Sequence, residues 1–180
     1  MLTAQQQAFV QALEELDLQQ VQRLLTDGLS LNFIDPEKGP VISVWSDGLF
    51  KWWEAICEAY EAGAPLSEQE KQQTLAVHLD ILEQLIHGKA NLHLWDTEEI
   101  YGPLWDAASA ACAPAVKRLL DEKVDPNTKD EDGLTILSSI SYLFFDCEFD
   151  EINWAEALAE EKQTLELLRQ HGAKMTKELA

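Results

Sequence analysis

The chain has 180 residues, with 33 Asp and Glu against 13 Lys and Arg and a formal net charge of −20. Its length and 46% hydrophobic content suit a buried core and exclude an acidic disordered tail, which lacks the apolar surface to offset chain entropy. The charge repels phosphates, so no nucleic acid and no anionic membrane surface is expected as a partner.

Taken in chain order, the opening Met1–Gln7 has neither a basic region nor an apolar run, so no signal peptide is expected. Thr3 with Gln6 forms a capping-box pair for a helix over roughly residues 4–15. Asp17 with Gln20 starts a second helix, which carries Val21, Leu24 and Leu25. Two long helices follow, about 41–62 and 68–87, the second opened by Ser67 and Glu70 after the Gly63-Ala64-Pro65 break. Pro114 falls where a helix tolerates proline, in its first turn. No stretch alternates apolar and polar residues with β-branched enrichment, so strands are not expected. No run of 18 apolar residues occurs, which predicts no membrane span. Cys57, Cys112 and Cys147 are an odd number in unrelated contexts, and this fits reduced thiols in the cytoplasm.

Four segments share one shape, an apolar pair or triplet at helical spacing followed by Gly or Lys and a turn. They are VQRLLTDGLSLN from Val21, LEQLIHGKANLH from Leu82, VKRLLDEKVDPN from Val116 and LELLRQHGAKM from Leu165. Their anchors, Gly28, Lys89, Lys123 and Gly172, lie 61, 34 and 49 residues apart, and one interval is close to the ankyrin period of about 33. Tyr101-Gly102-Pro103-Leu104-Trp105-Asp106-Ala107-Ala108 is similar to the T-P-L-H-x-A-A opening of ankyrin repeats, and Asp132-Gly133-Leu134-Thr135-Ile136-Leu137 to their D-x-G-x-T-x-L entry. Asp125-Pro126-Asn127 reads as the turn that closes a repeat. The chain therefore resembles the ankyrin-repeat family. The resemblance implies an all-α, ankyrin-like helical solenoid of stacked helix pairs with two insertions. It predicts a single domain over 1–180 with approximate repeats 3–33, 34–94, 95–128 and 129–177. A helical bundle whose helix ends look ankyrin-like is the second fold reading.

Phosphate cradles of the type GxGxxG or GxxxxGK[ST] and the nucleophile elbow GxSxG are absent. His78, His87, His93 and His171 have no ligand-spaced partners, and the acids at 146–151 lack the pattern of a calcium loop. Accordingly no metal, no cofactor and no catalytic residue is expected. The candidate partner-binding residues are acids and aromatics on turns between helices. Asp35 and Glu37 occupy the first turn, Asp96, Glu98 and Glu99 the second, and Asp130, Glu131 and Asp132 the third. Trp95 and Tyr101 flank the second turn, and Trp105 is read as core. Such a set joins aromatic anchors to charges that set on-rate and partner choice. The competing reading is a solvated face, since turns are polar in any protein.

A second candidate surface is Trp45 with Trp52 and Trp53 and the acids Asp47, Glu54, Glu58 and Glu61. Adjacent tryptophans point about 100° apart on a helix, so one of them meets a helix edge or a contact. Alternatively they straddle a wide apolar stripe with Phe50, Ile56 and Tyr60. The third surface is the insertion around Asp146, Glu148 and Asp150, which alternates apolar and acidic residues; the alternative is that it folds back over the stack.

Together these features predict a non-enzymatic, monomeric protein-binding module that captures a basic protein partner. The concrete version is an immunity protein or inhibitor that neutralises a toxin such as a nuclease, whose own surface must be basic to hold phosphates. The alternative is a scaffold, adaptor or chaperone for a basic subunit or peptide. A hydrolase using paired carboxylates ranks below both and expects one acid of raised pKa in a pocket.

Overall fold

The computed structural model describes residues 1–93, 102–130, 132–145 and 159–179. These residues are mostly helical, in the order α1 (Ala4–Glu14), α2 (Leu18–Thr26), β1 (Ile34–Asp35), β2 (Gly39–Pro40), α3 (Val41–Glu61), α4 (Glu68–His87), α5 (Pro103–Ser109), α6 (Ala113–Asp121), α7 (Ile136–Phe145) and α8 (Ala159–Gln170). The two short strands, which the sequence pattern did not predict, pair antiparallel with Ile34 opposite Pro40 and Asp35 opposite Gly39. Two-residue strands are too short to show an alternation, so periodicity cannot reveal them. The chain divides into two compact units, Met1–Pro103 and Leu104–Ala180.

Helix starts follow the capping chemistry. Thr3 Oγ1 accepts from the Gln6 N–H at 3.2 Å while Gln6 Oε1 accepts from the Thr3 N–H at 2.8 Å, closing the capping box of α1. Asp17 caps α2 by accepting from the Gln20 N–H at 3.0 Å, and Ser67 with Glu70 closes a second capping box on α4. Pro114 lies in the first turn of α6.

Helix ends follow one device. At Gly28, Lys89, Lys123 and Gly172 the backbone has positive φ, from 60° to 87°. In each case that residue's N–H donates to the carbonyl three residues back, and the next N–H donates to the carbonyl five residues back. This is the Schellman arrangement, which satisfies carbonyls left over at a helix end. Leu16, Gly63 and Ala111 end α1, α3 and α5 in the same way. The four anchors read from the sequence are thus four equivalent helix stops.

In the first unit, α1 packs on α2 and α3, while α2 and α3 each pack on α4. Like helix therefore lies on like helix in successive pairs. The core is Phe9, Leu13, Val21, Leu24, Ile42, Trp45, Leu49, Ile81, Leu82 and Leu85, all buried. Full burial of a side chain of this size contributes about 1.5–3 kcal/mol. In the second unit α6 and α7 both pack on α8, with Val116, Leu119, Leu165 and Leu168 fully buried. Asn127 ties this unit's turns together, with Nδ2 donating to the Gly172 carbonyl at 3.1 Å and Oδ1 accepting from the Lys174 N–H at 2.9 Å.

The units also share a register. Leu16 and Ala111, Gly28 and Lys123, Asn32 and Asn127, and Asp35 and Asp130 are each 95 positions apart (111 − 16 and so on). The helices α2 and α6 have nine residues each and begin 95 positions apart, and Val41 and Ile136 open α3 and α7 at the same offset. The antiparallel pairing of Lys129 with Thr135 matches that of Ile34 with Pro40. The same order of two helices, a small hairpin and two helices occurs twice in the chain.

Candidate functional site

The hairpin turns divide their acids into two kinds. Asp35 Oδ1 accepts from the backbone N–H groups of Glu37 at 2.8 Å and Lys38 at 3.1 Å. Asp130 Oδ1 accepts from the Leu134 N–H at 2.8 Å, and the Asp130 N–H donates to the Leu134 carbonyl at 2.9 Å. Both carboxylates are half-buried and hold their own turns, as short acidic side chains do at turn starts. Glu37 and Asp132 are exposed and turn their charge to solvent. This division escaped the sequence reading, although the Asp-Pro-Glu-Lys-Gly and Asp-Glu-Asp-Gly strings around the two turns carry its signal.

Trp52 and Trp53 point in different directions, as adjacent helical residues must. The Trp52 ring lies 6.1 Å from the His78 imidazole of α4, tilted by 50°, so it belongs to the seam between α3 and α4. Trp53 is half-buried on the neighbouring row. Trp45, expected on this surface, is instead buried in the core, where its indole N–H donates to the His78 carbonyl at 2.9 Å and anchors the same seam. Trp105 is buried, and its indole N–H donates to Thr128 Oγ1 at 3.2 Å. Trp95, Asp96, Glu98, Glu99, Tyr101, Glu131, Asp146, Glu148 and Asp150 lie outside the described residues.

His78 is 2% exposed, and neither ring nitrogen has a hydrogen-bond partner. Burial pushes its pKa down to about 4, so the ring is neutral near pH 7. Among the described residues, the carboxyl groups with a shifted pKa are lowered. The Ser67 hydroxyl and backbone hold Glu70 below its ordinary value. A hydrogen bond from Lys117 does the same for Asp121, and the Met175 N–H with Arg169 does it for Glu178.

Six of the 13 lysines and arginines are bonded to local acids. Lys51 bonds Asp47, Lys117 bonds Asp121, Arg118 bonds Glu122 and Arg169 bonds Glu178, all at 2.5–2.6 Å. Lys38 pairs with Glu14 and Lys71 with Glu68. Each pair cancels one charge of either sign, so the excess of 20 carboxylates is left without internal compensation. Among the described residues no helix is long and apolar enough to cross a membrane. No family model matches the sequence, and no curated protein matches it.

Proposed function

We propose that this chain is a non-catalytic, acidic protein-binding module that captures a basic protein. The concrete form of the proposal is an immunity protein or inhibitor acting in the cytoplasm, which neutralises a basic toxin such as a nuclease by covering its phosphate-binding face. The observation that carries this reading is the uncompensated charge, −20 overall, whose carboxylates include the exposed Glu37 and Asp132 on hairpin turns. A surface of that kind steers and holds a basic partner by complementarity. The ankyrin-like reading of the fold is part of the proposal. It is supported by the repeated order of two helices and a hairpin, by the stacking of α1 on α3 and α2 on α4, and by the four equivalent helix stops.

The test is a pair of charge reversals, Glu37→Lys with Asp132→Lys, measured against the basic protein that co-purifies with the chain. Partner affinity falls and its salt dependence flattens, while the melting temperature stays within about 2 °C, since exposed substitutions change stability by about 0.5 kcal/mol or less. Unchanged affinity removes these turns from the contact.

A further inference from the structure

The helices α3 and α4 have 21 and 20 residues, about twice the 11 and 9 of α1 and α2 that pack on them. Their burial stops accordingly. Every buried residue of α3 lies within Val41–Leu49 and every one of α4 within His78–Leu85, and no residue from Phe50 to Val77 is buried. One row of α3 shows the change along its length. Ile42, Ser46, Leu49, Trp53, Ile56 and Tyr60 recur at alternating spacings of four and three, the period of a helix that is packed along one seam. The first three are buried, Trp53 and Ile56 are half-buried, and Tyr60 is 74% exposed. The half-buried Phe50 borders this row, and beyond it stand the exposed Glu54, Glu58 and Glu61.

We infer that the outer half of α3 docks an amphipathic, basic α-helix of the partner protein, which continues along Trp53, Ile56 and Tyr60 the cover that the inner half already has. The inference rests on the basic-partner reading above and assigns it a place and a shape. Its occupant follows from charge. Residues 41–87 carry eight Asp and Glu against Lys51 and Lys71, and those lysines are bonded to Asp47 and Glu68. A second copy of this chain would bring another acidic row against Glu54, Glu58 and Glu61. A helix with apolar residues at three-and-four spacing and Lys or Arg on its flanks fills the row and meets the glutamates. The row from Phe50 to Glu61 is about 17 Å long, enough for roughly three turns of such a helix.

The probe is a synthetic Leu/Lys peptide of about 18 residues with heptad spacing, titrated into the full chain and followed by hydrogen exchange. A scrambled peptide of the same composition and a Leu/Glu analogue serve as controls. The expected result is protection of the α3 amides from Phe50 to Glu61, with the scrambled peptide and the Leu/Glu analogue binding at least tenfold more weakly. Tyr60→Ala, at an exposed position that the fold tolerates, weakens the heptad peptide severalfold, and Trp53→Ala does so more. Equal affinity for heptad and scrambled peptides, or protection only at the Glu37 and Asp132 turns, overturns the helix-docking inference and leaves the basic-partner reading standing. Equal binding of the Leu/Glu analogue, with no salt dependence, overturns both. No binding of the heptad peptide overturns the inference alone, because the native partner is captured independently. A dimer in sedimentation that Tyr60→Glu dissociates gives the face to a second copy and also overturns it.

Discussion

With a pKa of about 4 in the fold against an ordinary 6.5, the His78 imidazole stays neutral where an unfolded chain takes up a proton. The unfolded state therefore binds more protons between about pH 6.5 and 4, and stability falls as the pH falls through that window. The loss amounts to roughly 3 kcal/mol at most, and above pH 6.5 this group contributes no slope. His78→Phe makes the slope between pH 6.5 and 4 shallower by this group's share, leaving that of carboxylates such as Glu70, Asp121 and Glu178, and urea unfolding of both proteins across the pH range measures the difference. At Asp35 the carboxylate holds two backbone donors, so Asp35→Ala costs about 1 kcal/mol in the same unfolding assay, whereas Glu37→Ala costs almost nothing. The sequence displayed the acids of these turns plainly. It did not display which of them were already occupied, because occupancy depends on where the next backbone N–H groups fall in space.

Helix ends are where element and sequence agree most closely. Lys89 and Lys123 hold positive φ of 60° and 68°, a conformation that costs an L-residue about 1 kcal/mol. Gly28 and Gly172 hold 85° and 87°, and nothing lies within 4 Å of a Cβ added to either. Gly172→Ala is therefore destabilising by about 1 kcal/mol through backbone strain alone, and Lys123→Gly is neutral or slightly stabilising. Thermal melts of the two variants check the opposite signs. Leu119→Ala, at a fully buried position of α6, costs about 2–5 kcal/mol, and a cost below about 0.5 would contradict its place in the core. The helices 4–15, 41–62 and 68–87 were legible within a residue, because Thr3, Ser67 and the Gly63 break state their limits chemically. The strands were not legible. Pairing of Ile34 with Pro40 is set by the turn between them and not by any pattern within two residues.

At the scale of the molecule, the spacing of 61, 34 and 49 between anchors conceals a simpler rule. The first two intervals taken together return Gly28 to Lys123, and the strings Val21-Gln22-Arg23-Leu24-Leu25 and Val116-Lys117-Arg118-Leu119-Leu120 mark the recurrence. A short period does not show it, because the length of α3 and α4 places the second helix pair off a period of about 33. The longer of them, α3, carries the row of half-buried Trp53 and Ile56 and exposed Tyr60, so the departure from regular repetition coincides with the proposed docking face. The charge belongs to this scale too. With −20 on the chain, a complex with a basic partner weakens as salt screens it, while apolar contact on α3 persists. The most direct measurement is affinity capture from the native cell lysate, eluted in steps of rising salt. The expected result is one basic protein, released late and in equimolar amount, whose activity is lost when this chain is added back. A broad set of basic proteins released together at modest salt would contradict it, because the charge would then act only as an ion exchanger.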